Sequence, residues 1–124
     1  MIEASIPKRI LLVDDEASLR KTIAKVLSRF DNEIEIATDG EDCLRKFREK
    51  KWDLVVTDQH MPGMSGEDVA AVIKAEAPEI PVILMTGVPD TVHNPQLFFA
   101  LVIKPFANVE LRDAVSNALS GTPT

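Results

Sequence analysis

"RILLVDDE", residues Arg9 to Glu16, is the stretch on which the reading of this chain turns. Ile10, Leu11, Leu12 and Val13 form an unbroken apolar run, and Asp14, Asp15 and Glu16 follow it directly. Such a run, bounded by charge, is the mark of a strand buried on both faces, as in a parallel sheet. Three consecutive carboxylates at its end repel one another and lose solvation if buried. Something positive is expected among them.

Four further runs have strand character: "EIEIA" (Glu33 to Ala37), "DLVVT" (Asp53 to Thr57), "PVILM" (Pro81 to Met85) and "ALVI" (Ala100 to Ile103). "EIEIA" alternates, as an edge strand with one exposed face does. Amphipathic helical patterns separate the runs. Leu19, Ile23, Val26, Leu27 and Phe30 share one stripe between Ala17 and Phe30. Leu44 and Phe47 do so between Glu41 and Lys50, and Val69, Val72 and Ile73 between Gly66 and Ala77, where Pro78 stops the helix. Leu111, Ala114, Val115, Ala118 and Leu119 mark a last helix, with Asn108 as its expected N-cap and Gly121 past its end. The order is strand, helix, strand, helix, ending on a helix. It predicts an α/β, flavodoxin-like doubly wound (βα)5 domain: a five-stranded parallel sheet with helices on both faces. The stretch Gly87 to Phe99 has two prolines and no stripe, so the fourth helix is expected to be short or missing.

The chain of 124 residues suits one domain, expected to have its core from about residue 9 to 119, with 120–124 as a tail or the start of a linker. It is 45% hydrophobic and 27% charged, which excludes disorder over most of its length. A net charge of -6 and a pI near 4.9 argue against direct binding of nucleic acid or of an anionic membrane. The single cysteine, Cys43, excludes an intrachain disulfide and a cysteine-based zinc cluster; beside Leu44 and Phe47 it reads as buried and inert. No run approaches a membrane span, and the first ten residues lack the apolar core of a signal peptide, so a cytoplasmic location is expected.

In a doubly wound sheet, ligands bind beyond the C-terminal strand ends. The residues there are Asp14, Asp15 and Glu16, then Asp58, Gln59 and His60, then Thr86 and Gly87, then Lys104 and Pro105. Singly, Asp15 or Glu16 would be an ordinary helix N-cap, Thr86 a strand-end threonine and Lys104 a solvated lysine. Together they bring carboxylates, a hydroxyl and an ammonium to one rim. Aspartate oxygens completed by water and phosphate suit magnesium. A carboxylate flanked by a divalent cation, a lysine and a hydroxyl is placed to attack phosphorus.

This set, with the motifs "LLVDDE", "VVTDQHMPGMSG", "ILMTG" and "IKPF", resembles the receiver domain of two-component response regulators over Arg9 to about Leu119. The resemblance implies a phosphorelay signalling switch. Asp58 would be the phosphoacceptor. Asp14 and Asp15 would bind Mg2+ together with Asp58, Asp15 as the direct ligand of the acidic pair, and the backbone carbonyl of His60 would be a further ligand. Thr86 would supply the hydroxyl that turns to the phosphoryl group, and Lys104 the ammonium that binds it. A cis bond before Pro105 is usual in the family, and Gly87 would leave room for the donor. The implied partners are a sensor histidine kinase or histidine phosphotransfer protein and a downstream output domain or protein. The phosphorylation and dephosphorylation would be self-catalysed, so the domain would not be a turnover enzyme.

Two departures bear on output. The family often has an aromatic residue three before the lysine; here it is Leu101. The stretch from Thr86 to Lys104 is a few residues short. Both lend weight to an alternative, an interaction module that does not use phosphorylation. Phe98 and Phe99 would either replace core lost with the helix or form an exposed patch. His60 is expected at the mouth of the site and His93 at the surface. A more remote alternative, an aspartate-nucleophile phosphohydrolase, wants an aspartate two residues after its nucleophile; Asp58 is followed there by His60 and Asp14 by Glu16.

Overall fold

The computed structural model describes residues 7–14, 16–27 and 32–121, and for Ser18, Leu19, Thr22 and Asn32 the backbone alone. Asp15, Phe30 and the Leu19 side chain, all used in the sequence reading, lie outside that description. The elements are β1 (Lys8–Val13), α1 (Ala17–Leu27), β2 (Asn32–Ala37), α2 (Gly40–Phe47), β3 (Leu54–Asp58), α3 (Gly66–Glu76), β4 (Val82–Thr86), β5 (Ala100–Ile103) and α4 (Asn108–Ser120). The strands form one parallel sheet in the order β2-β1-β3-β4-β5. The alternating strand "EIEIA" is at an edge, as its pattern requires.

Successive strand residues point to opposite faces, and the core is split accordingly. Ile10, Leu12, Val56, Ile83, Met85 and Val102 face α1 and α4, where Ile23, Leu27, Leu111 and Val115 close the layer. Leu11, Val13, Val55 and Val82 face α2 and α3, closed by Cys43, Leu44, Phe47, Val69 and Ile73. Most of these side chains are wholly buried, each contributing about 1.5–3 kcal/mol of apolar transfer.

Side chains and backbone chemistry set the helix ends. Asp39 caps α2, its Oδ1 accepting from the Asp42 N–H at 2.8 Å. Ser65 and Asp68 cap α3 reciprocally, at 3.1 and 3.0 Å. That helix ends at Glu76 because Ala77 precedes Pro78 and is held out of the helical region (φ -147°, ψ 75°). The N-cap of α4 is Ala107, one residue before the expected Asn108; the capping group is the Glu110 carboxylate, which accepts from the Ala107 N–H at 3.2 Å. Gly121 caps the other end of α4 with φ 73°. Helix α2 stops at Phe47, three residues short of the expected Lys50, with a turn at Arg48 and Glu49.

Between β4 and β5 the described chain has no α-helix. Two single 3₁₀ turns, Pro89–Thr91 and Pro95–Leu97, each open on a proline. Phe98 packs against the α2–α3 layer and Phe99 against the α1–α4 layer, both partly buried. They are core substitutes rather than an exposed patch.

Candidate functional site

Strands β3 and β4 each run one residue further than their sequence pattern indicates. Pro81 has no N–H to donate, and the ladder instead continues at the far end, where the Gln59 N–H reaches the Met85 carbonyl at 3.0 Å. Asp58 and Thr86 are therefore the last residues of their strands rather than the first beyond them. The ladder fixes their backbones, which loop residues would lack.

The parallel register assembles the rim. Val13 pairs with Thr57, Asp58 with Met85, and Thr86 with Ile103. Asp14 follows β1 beside Asp58, Thr86 ends the next strand over, and Lys104 follows β5. Neighbouring strands lie about 4.8 Å apart, so Lys104 must reach across two such spacings, past the end of β4. It does: Lys104 Nζ donates to Asp58 Oδ1 at 3.0 Å, with the two side chains 23% and 7% exposed. The Gln59 N–H donates to the same Oδ1 at 2.9 Å. Both contacts fall on one oxygen, which leaves Asp58 Oδ2 open to a further ligand among the described residues. The peptide bond joining Lys104 to Pro105 is cis.

Asp14 is wholly buried. Its Oδ1 accepts from the Glu16 N–H at 2.8 Å, and its carbonyl accepts from Arg20 Nη1, on α1, at 2.9 Å. Glu16 itself is exposed and sits just ahead of α1, its carbonyl taking the first helical bond from Arg20. Thr86 is wholly buried, and its hydroxyl oxygen accepts from the Val88 N–H at 3.1 Å, so in this state it is engaged by its own loop. His60 and His93 are exposed. The structure thus brings together Asp14, Asp58 and Lys104, with Thr86 on the adjacent strand end turned away; Asp15 lies outside the described residues.

Gly66 has a positional reason. A Cβ there would lie 2.5 Å from the Asp58 carbonyl oxygen and 2.6 Å from Leu84 Cδ1. Only glycine lets the start of α3 approach the end of β3 this closely.

A sequence model of the family described as "Response regulator receiver domain" matches residues 10–116 of the chain. The chain belongs to that family. As a receiver domain it is a signalling module of two-component response regulators. It is 32% identical over 98% of its length to the probable transcriptional regulator ycf27 of Guillardia theta, of which it covers 49%. It is 39% identical over 68% of its length to the DNA-binding response regulator MtrA of Mycobacterium tuberculosis, of which it covers 37%. The chain therefore spans about half the length of the curated relatives it matches, or less. Among solved structures, the response regulator TrrA of Thermotoga maritima, in complex with Mg(2+)-BeF, is 35% identical with a TM-score of 0.84; the match covers 90% of this chain and 99% of that one.

The donor set of this receiver domain fits magnesium. Mg2+ takes one or two carboxylates and completes its shell with water and phosphate oxygens, rather than a cage of side chains. Asp14 and the open oxygen of Asp58 are of that kind. No group of three or more His, Cys, Asp or Glu side chains suited to a metal occurs among the described residues, and none is needed. None of the described helices is long and apolar enough to cross a membrane.

Two polar residues near the acceptor were given no role by the sequence reading, which placed Gln59 on the rim and passed over Glu67. Gln59 and Glu67 are 6% and 8% exposed. They pair at two points: Gln59 Nε2 donates to Glu67 Oε1 at 2.8 Å, and the Glu67 N–H donates to Gln59 Oε1 at 3.0 Å. Burial pushes the Glu67 carboxyl up, but the N–H groups of His93 and Asn94 and the amides of Gln59 and Asn94 outweigh it and hold the group below the usual glutamate range. No local sequence signal marks Glu67, which stands off the Val69, Val72 and Ile73 stripe; in the structure it precedes buried Ala70 by one helical turn and lies on the inward face of α3.

Proposed function

We propose that this receiver domain accepts a phosphoryl group on Asp58 from the phosphohistidine of a sensor histidine kinase or histidine phosphotransfer protein, with Mg2+, and changes its affinity for an output domain or protein as a result. The observation that carries this reading is the Lys104–Asp58 contact: an ammonium and a nearly buried carboxylate, 46 residues apart, joined at 3.0 Å at the strand ends. The chain acts as one domain, with its core from about residue 9 to 119.

Asp14, Asp15, Asp58 and the His60 carbonyl would hold the magnesium ion. When bound, the ion supplies positive charge that offsets the crowded carboxylates and the incoming phosphoryl oxygens. A carboxylate oxygen of Asp58 attacks phosphorus in line. The new bond is from that oxygen to phosphorus, the bond from phosphorus to the donor nitrogen breaks, and the imidazole leaves with its electron pair. Lys104 then exchanges its contact with Asp58 for one with an equatorial phosphoryl oxygen, as a charge-assisted hydrogen bond. Thr86 gives up its Val88 contact and turns its hydroxyl to another. Gly87 leaves the approach open; even a Cβ there would meet nothing closer than 3.9 Å. Water later attacks phosphorus, the bond from phosphorus to the Asp58 oxygen breaks, and inorganic phosphate departs to restore the free carboxylate, so the domain cycles as a switch rather than as a turnover enzyme.

The test is intact mass after incubation with acetyl phosphate and Mg2+. One phosphoryl group should be gained by the wild type and none by Asp58→Asn. No gain, or the same gain in the variant, overturns the reading. Leu101, only partly buried where an aromatic switch residue would stand, favours the second reading, an interaction module indifferent to phosphorylation. Partner affinity that is unchanged between the phosphorylated and free forms would establish it.

A further inference from the structure

The segment between β4 and β5 is held at its midpoint by one side chain. Its own hydrogen bonds stay within each 3₁₀ turn: Thr91 and Val92 donate back to Val88 and Pro89, and Leu97 and Phe98 to Asn94 and Pro95. Between the turns, the backbone N–H groups of His93 and Asn94 point instead to the Glu67 carboxylate on α3. The His93 N–H lies 3.1 Å from Oε1 and 3.0 Å from Oε2, the Asn94 N–H 2.8 Å from Oε2, and Asn94 Nδ2 3.4 Å from Oε2. Glu67 has no cationic partner among the described residues. Its charge is met by amides and by its place in the first turn of α3.

The same carboxylate is one bond from the acceptor's neighbour. Gln59 grips Glu67 with both ends of its side-chain amide, and its backbone N–H is shared between Asp58 Oδ1 and the Met85 carbonyl. An unbroken chain of contacts therefore runs from Asp58 through Gln59 and Glu67 to His93 and Asn94. Phosphorylation acts on its first link. Phosphorylating one Asp58 oxygen makes an acyl phosphate and leaves the other a neutral carbonyl, so the Gln59 N–H trades a charge-assisted hydrogen bond for an ordinary one. Lys104 is drawn away to the phosphoryl group at the same moment. The tether on the Asp58–Gln59 peptide weakens, and Gln59 cannot turn without moving Glu67, whose carboxylate and backbone N–H it holds.

We propose that Glu67, acting through Gln59, is a positioning residue that ties the 88–97 segment to Asp58 and loosens it when Asp58 is phosphorylated. The proposal rests on the reading of Asp58 as phosphoacceptor. It gives the domain a route from site to surface that needs neither a fourth helix nor an aromatic residue at Leu101.

Hydrogen exchange followed by mass spectrometry tests it on the whole chain in Mg2+, with and without acetyl phosphate, reading only the fraction whose mass shows the phosphoryl group. In the wild type, exchange of peptides containing His93 and Asn94 should quicken about ten-fold on phosphorylation, the factor that separates a charge-assisted from a neutral hydrogen bond. Gln59→Leu cuts the link but leaves Glu67 on the loop, so protection should stay and the response should vanish. Glu67→Ala should exchange fast in both states. A wild-type mass gain with unchanged exchange overturns the coupling, as does a Gln59→Leu response equal to that of the wild type. Absence of any mass gain removes the phosphoacceptor reading, and the coupling falls with it.

Discussion

Replacing Gly66 by alanine adds one methyl group where the start of α3 meets the end of β3. That methyl would stand 2.5 Å from the Asp58 carbonyl oxygen, 2.6 Å from Leu84 Cδ1 and 3.1 Å from Gln59 Cα. Two of the three neighbours are backbone of a central strand and cannot yield cheaply. Relief requires α3 to withdraw by the better part of an ångström, which stretches the 3.0 Å bond from the Gly66 N–H to the Gln59 carbonyl. Overpacking of this kind costs about 1–3 kcal/mol, and a weakened backbone hydrogen bond about 1 kcal/mol more. Alanine's better helix propensity returns up to ~1 kcal/mol. The net loss is about 1–3 kcal/mol, and at roughly 4 °C per kcal/mol for a domain of this size the Tm should fall by about 4–12 °C. Thermal unfolding followed by circular dichroism measures it. Gly87→Ala is the control, because its added methyl meets nothing closer than 3.9 Å; its effect should stay within about 0.5 kcal/mol. A Gly66→Ala protein as stable as the wild type would refute the close approach.

Three further outcomes are expected. Burial, aided by the neighbouring Asp42 charge, pushes the Cys43 thiol up to about 12, so a thiol reagent at mildly alkaline pH should label the protein only when denaturant is added. Burial raises the Asp42 carboxyl, but the Thr38 N–H, Lys46 and Arg45 together bring it below the ordinary range. Its contribution to stability is then full above the unfolded carboxylate pKa of about 3.9 and is lost as pH falls through the lower folded value, so the urea midpoints of wild type and Asp42→Asn should differ at neutral pH and converge in strong acid. Lys104→Met removes the cation facing Asp58 and should slow phosphoryl gain from acetyl phosphate about 10²-fold by mass spectrometry, the usual cost of losing one group that stabilises developing negative charge.

What could be read from the sequence was whatever depended on nearby residues. The apolar runs revealed the strands because burial on both faces leaves no room for polar residues, and the alternation in "EIEIA" placed β2 at an edge. Asp14, Asp58, Thr86 and Lys104 were legible because a parallel sheet brings all its strand ends to one side. The errors at element ends were of one to three residues and had local causes. Asp58 and Thr86 belong to their strands because hydrogen bonding across the ladder, rather than apolar character, decides where a strand ends. Asn108 was passed over as a cap because Glu110 reaches back to the Ala107 N–H. Glu67 was illegible for a different reason. A glutamate in the first turn of a helix is ordinarily a solvated complement to the helix dipole, and this one is buried only because a segment 26 residues away lies over it.

That segment also explains how the sheet tolerates a missing helix. A parallel sheet needs cover on both faces, and β5 shows how the cover is divided. Val102 is buried under the α1–α4 layer, whereas Leu101 and Ile103, on the opposite face, are only partly covered, Ile103 being 40% exposed. The adjoining Phe98 and Phe99 restore apolar contact by entering opposite layers, a consequence of strand-like alternation just before the strand begins. Pro89 and Pro95 set the two tight turns while giving up N–H donors that a helix would have needed. The His93 and Asn94 donors that remain would be costly to leave unmet against the body of the protein, and Glu67 meets them. An apolar residue at 67 could fill the same space but would strand those N–H groups. The acid on the inward face of α3 and the absent fourth helix are thus two sides of one structural solution.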